Sequence, residues 1–130
     1  MKSRAKKLGL AFVKNADPET AAEQLLLVLG FQTRLKGTRY LSEAIALKYC
    51  DEKQSCADIY NSIATKHNTT PVNVERTVRH ALKNCRNEGS ITDFNRFVGC
   101  NAIDRKFDTT NSEFISVISK WLRWVREDKK

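Results

Sequence analysis

Between Thr69 and Lys83 the chain gathers side chains able to hydrogen-bond to both parts of a nucleic acid. Asn73, Glu75, Arg76, Arg79 and His80 are the candidates for base edges. An arginine fork fits guanine N7 and O6, a carboxylate accepts from cytosine N4, and an asparagine amide pairs with adenine. Thr69 and Thr70 stand just ahead, where hydroxyls and free backbone N–H groups at a helix start suit phosphate, and Lys83 follows as a further phosphate-binding cation. Lys36 and Arg39, with Arg34, supply phosphate candidates from an earlier segment. Phosphate contacts set affinity and register, whereas base-edge contacts set sequence.

The same residues offer little to catalysis. Glu75 and His80 resemble an acid and base pair, but no Gly-rich phosphate loop, Ser/His/Asp order or convergent carboxylate pair accompanies them, so no enzyme is expected. Cys50, Cys56, Cys85 and Cys100 form no CxxC pair, and His67 and His80 complete no zinc spacing; neither metal nor cofactor is expected. The cysteines read as free thiols acting as small buried hydrophobes in a reducing cytoplasm.

For the candidates from Asn73 to His80 to face one way, they must share a helix. Val74, Val78, Ala81, Leu82 and Cys85 recur in steps of three and four, which assigns them to a buried stripe and the polar set to the opposite face. Thr70 can cap this helix and Pro71 suits its first turn, so it is expected from about Pro71 to Asn87. A preceding helix, from about Ser55 to Lys66, turns Ile59, Tyr60, Ile63 and Ala64 inward. Small Ala64 permits close crossing, and Asn68 can adopt the left-handed conformation in the turn. Such a pair makes a helix-turn-helix whose second helix enters a major groove.

The rest of the chain also reads as helical. A first helix starts at Pro18 behind Asp17 and stops at Gly30, and Phe31 to Gly37 forms a basic connector. The next helix, from about Thr38 to Cys50, carries Leu41, Ala44, Ile45 and Lys48 and is expected to have a narrow core face. A short helix near Phe94 to Val98 is expected, then a final one bearing Phe114, Val117, Ile118, Trp121 and Val125 on one stripe. No period-2 run suggests a strand. The expected fold is all-α, a compact bundle of about six helices containing a helix-turn-helix.

Charge agrees with a polyanionic partner: 23 Lys and Arg against 15 Asp and Glu leave a net +8 across 130 residues, a length that suits one domain. Residues 1–17 read as a basic arm and 18–130 as the DNA-binding domain. Leu8 to Val13 is too short for a secretory signal, and no run approaches the ~18 apolar residues of a membrane span. A cytoplasmic protein without a membrane partner is expected.

Over roughly residues 20–126 the chain resembles the C-terminal effector domain of stage zero sporulation protein A, the sporulation response regulator. The likeness is carried by Leu35-Lys36-Gly37, Tyr40-Leu41, Glu43-Ala44-Ile45, Asn68-Thr69-Thr70, Val74-Glu75-Arg76, Arg79-His80-Ala81 and Thr110-Asn111-Ser112-Glu113-Phe114-Ile115. It implies double-stranded DNA as partner, Glu75 and Arg76 as a base-reading pair, and Arg79 and His80 as the next turn. It also implies head-to-tail dimers on tandem sites and contact with the RNA polymerase sigma factor, starting here near Asn84 to Ile91. Two segments, Pro71-Val72-Asn73 and Asp93 to Asp108, depart from the family pattern, and the first of them leads us to expect a shifted operator. The family carries a phosphoacceptor receiver ahead of this domain, and with about twenty residues before the first core helix no such control is expected here.

A second class of function is a protein-interaction module that competes with or titrates a full-length regulator or the sigma factor. Trp121 and Trp124 motivate it, since exposed aromatics mark interfaces. Steep salt dependence of duplex binding separates the two classes.

Overall fold

The computed structural model describes residues 16–28, 31–32, 34–87 and 111–127. Five helices occupy them, α1 Pro18–Val28, α2 Lys36–Cys50, α3 Cys56–His67, α4 Pro71–Asn87 and α5 Asn111–Glu127, with no strand among the described residues. The expected short helix near Phe94, the Gly30 stop and nearly all of the basic arm lie outside them. No helix among the described residues is long and apolar enough to cross a membrane.

Helix α2 is the centre of the bundle and packs against each of the other four. Gly37, Thr38 and the run Tyr40, Leu41, Ser42, Glu43, Ala44 and Ile45 are buried, which corrects the narrow core face expected from the sequence. Most of these are small or polar, so the helix carries a weak apolar stripe although it is enclosed on several sides. The start is also earlier than expected, at Lys36 and not Thr38, and Leu35 caps it with no side-chain hydrogen bond. Lys48, read as sharing the helix's inner spacing, reaches the following connector, donating from Nζ to Gln54 O at 2.8 Å.

Glu43 is the one carboxylate in the buried set, 6% exposed. Both of its oxygens meet His67 Nε2, at 3.0 and 2.9 Å, and Lys66 Nζ lies 3.7 Å away. The His67 ring sits 5.1 Å from that of Tyr40. Buried carboxylates need such partners, and here the partners are the last two residues of α3. The end of α3, and hence the turn that follows, is fastened to the core.

Helix α5 buries Phe114, Ile115, Ile118 and Leu122, while Val117 and Trp121 are only partly buried against the core. The buried stripe is therefore rotated from the expected one, with Ile115 and Leu122 in place of Val117 and Trp121. Phe31 joins the core through a tilted ring contact with Phe114 at 5.9 Å. The thiols of Cys50 and Cys56 are free, but Cys50 is exposed and Cys56 half-buried. The reading as buried hydrophobes is thus corrected for Cys50, which ends α2 at the surface, while Cys56 at the start of α3 packs only partly against the core.

Candidate nucleic-acid interface

Helix α3 is opened by Ser55, whose side chain accepts from the Asp58 N–H at 3.1 Å. It is closed by Asn68 in the left-handed region, φ 56° and ψ 50°, with the Thr69 N–H bonded to Ala64 O at 2.9 Å. Asparagine tolerates this conformation better than other non-glycine residues, and the closure satisfies a carbonyl at the helix end. Two residues later α4 begins. Thr70 Oγ1 accepts from the Asn73 N–H at 3.1 Å, the N-cap bond that its type predicts.

The inward face of α4 is Val74, Val78, Ala81 and Leu82, all buried against the core as expected. Burying a valine or leucine side chain contributes about 1.5–3 kcal/mol, enough to fix which way the helix is turned. The side chain of Cys85 lies outside the described set. Asn73, Arg76, Arg79, His80 and Lys83 are exposed and Glu75 is half-buried, so the polar candidates do emerge from one outer surface. Lys36, Arg39 and Thr70 are exposed and Thr69 is half-buried.

Three of the base-edge candidates are held by neighbours. Arg79 Nη2 donates to Glu75 Oε2, an i,i+4 pair. On an exposed helix such a pair contributes only about 0.3–0.5 kcal/mol, so its consequence is the orientation of the guanidinium. Asn73 Nδ2 donates to Thr69 Oγ1 at 2.9 Å, which leaves its second N–H and its amide oxygen for a bidentate contact. Thr69 and Thr70 both act as acceptors here, so their hydroxyl protons remain to be donated. Arg76, by contrast, is exposed and has no hydrogen bond or ion pair with another of the described residues.

Two residues that position the interface were not singled out for that role in the sequence. The first is Gly37, where a Cβ would stand 2.6 Å from Ala81 Cβ and 2.7 Å from Thr77 O. Only glycine lets α2 and α4 approach so closely, and Lys36 is its neighbour in the chain. Its signal was a glycine in a helix-compatible run, which marks close backbone approach. The second is Asn111, buried at the start of α5, whose Nδ2 donates to the backbone oxygen of Glu75 at 3.0 Å. Asn111 also hydrogen-bonds Tyr60 of α3; burial pushes the Tyr60 hydroxyl above its usual pKa, and this bond draws it partly back.

Of the two tryptophans that motivate a protein-binding module, Trp121 packs partly against the core. The side chain of Trp124 lies outside the described set. Among the described residues no group of three or more His, Cys, Asp or Glu could hold a metal ion.

Comparison with known families agrees with this arrangement. The family model described as sporulation initiation factor Spo0A C terminal matches residues 22–122, a span that runs from within α1 to within α5 and contains every candidate contact residue. The chain belongs to this family of DNA-binding sporulation-regulator domains.

Proposed function

We propose that α3, its turn and α4 form a helix-turn-helix that binds double-stranded DNA sequence-specifically, with α4 in the major groove. A helix about 10–12 Å across with its side chains fits a groove about 12 Å wide. The observation that carries this reading is the division of α4 into an inner face of buried Val74, Val78, Ala81 and Leu82 and an outer face of exposed Asn73, Arg76, Arg79, His80 and Lys83.

On this reading Arg76 and Arg79 meet guanines, Glu75 accepts from cytosine while steadying Arg79, and Asn73 and His80 take flanking edges. Recognition helices engage most strongly with their first turns, which favours these residues over Lys83 for bases. Thr69, Thr70, Lys36, Arg39 and Lys83 hold phosphates. The domain spans 18–130, residues 1–17 act as a basic arm, and the site of action is cytoplasmic DNA. Family membership favours head-to-tail occupancy of tandem sites and contact with a sigma factor through residues 84–91. It also argues against catalysis.

Selection from random duplexes, followed by salt titration on the recovered sequence, tests the proposal. A single enriched motif and an affinity that falls steeply with salt are expected. Recovery of no motif, with duplex binding absent at low salt, would remove it.

A further inference from the structure

On the reading of α4 as the major-groove helix, we infer that Val72 is a specificity residue that reads the 5-methyl group of a thymine. Val72 is 63% exposed, the most exposed large hydrophobic residue among those described, ahead of Leu27 at 48% and Leu35 at 37%. It lies in the first turn of α4, next to Pro71 and beside Asn73. Its placement has no explanation in folding. It touches no core, and a valine on an exposed helix surface is a poorer helix former than alanine.

Its position on the helix supplies the reason. At about 100° per residue, Val72, Arg76, Arg79 and Lys83 fall within a stripe roughly 60° wide, directed away from Val74, Val78, Ala81 and Leu82. Val72 is thus the apolar member of the row whose other members are cations, at the end of the helix that enters a groove deepest. In the major groove the one apolar feature a base presents is the thymine methyl, and small aliphatic groups are its usual partners. A β-branched side chain with one preferred rotamer in a helix presents its methyl groups in a fixed direction, so the contact costs little side-chain entropy. Asn73 next to it has an amide oxygen and one N–H available for an adjacent adenine. An apolar side chain in a row of cations is a poor phosphate ligand, so the contact it makes is with a base.

The test is equilibrium binding of the full chain to the duplex recovered by selection, with each thymine replaced in turn by uracil, which exchanges only the methyl for hydrogen. One position should weaken wild-type binding about three- to fivefold, the worth of one buried methyl. Val72→Ala should bind the thymine duplex about as weakly as wild type binds the uracil duplex, and should be indifferent to the exchange at that position. Val72 is exposed and alanine favours helix, so an unchanged melting temperature is expected for the variant. Wild type indifferent to every exchange on a duplex it still selects, or an equal uracil penalty in wild type and Val72→Ala, overturns the inference while leaving the recognition reading intact. Absence of any selected duplex overturns both.

Discussion

Asn111, the first residue of α5, donates from its side-chain nitrogen to the backbone oxygen of Glu75 at 3.0 Å, tying α5 to the second turn of α4. Asn111 also bonds to Tyr60 of α3, so one buried amide joins three helices behind the surface that carries Arg76 and Arg79. The backbone of α4 is therefore held from behind by a buried residue that lies outside its exposed face. Asn111→Ala should lower unfolding free energy by about 1–3 kcal/mol, because a buried hydroxyl loses its partner. Denaturant unfolding measures this; a stability equal to wild type would show that the amide is idle.

The raised pKa of Tyr60 carries a pH signature. Burial favours the protonated phenol, so the folded state keeps its proton at a pH where the unfolded chain, with a value of about 10, has begun to lose it. Stability is fully present below that pH and falls as pH rises through the folded-state value. Melting temperatures compared across this range should show a steeper alkaline decline in wild type than in Tyr60→Phe. Parallel declines in the two proteins would mean that Tyr60 contributes nothing to it.

Gly37 is predicted to resist even the smallest side chain. Alanine has the better helix propensity, by about 1 kcal/mol, but its methyl would meet Ala81 Cβ at 2.6 Å and a backbone oxygen at 2.7 Å. Overpacking of this kind costs about 1–3 kcal/mol, so Gly37→Ala should be net destabilising. A rise in melting temperature would contradict the close crossing.

Helix α4 was legible from the sequence because its inner residues are strongly apolar and its outer ones strongly polar, so a 3.6-residue period separates them cleanly. Asn68 was legible too, since few residues accept a positive φ. Helix α2 was not. Its buried Thr38, Ser42 and Glu43 look like surface residues until His67 and Lys66 arrive from α3 to satisfy the carboxylate, a contact between residues far apart in the chain. The same holds for Gly37 and Asn111, whose roles depend on which helix lies opposite. In α5 the periodicity admitted two neighbouring stripes, and burial of Ile115 and Leu122 selected the one that leaves Trp121 at the margin.

The most direct test compares Arg76→Ala and Lys36→Ala on the selected duplex and on random duplex across a range of salt. Both side chains are exposed, so both variants should fold as wild type does. Arg76→Ala should lose about 1–3 kcal/mol on the selected duplex alone and relax the preference at one base pair, whereas Lys36→Ala should weaken both duplexes alike and reduce the salt slope by about one. Equal loss on selected and random DNA for Arg76→Ala would contradict the assignment of the outer face of α4 to base edges.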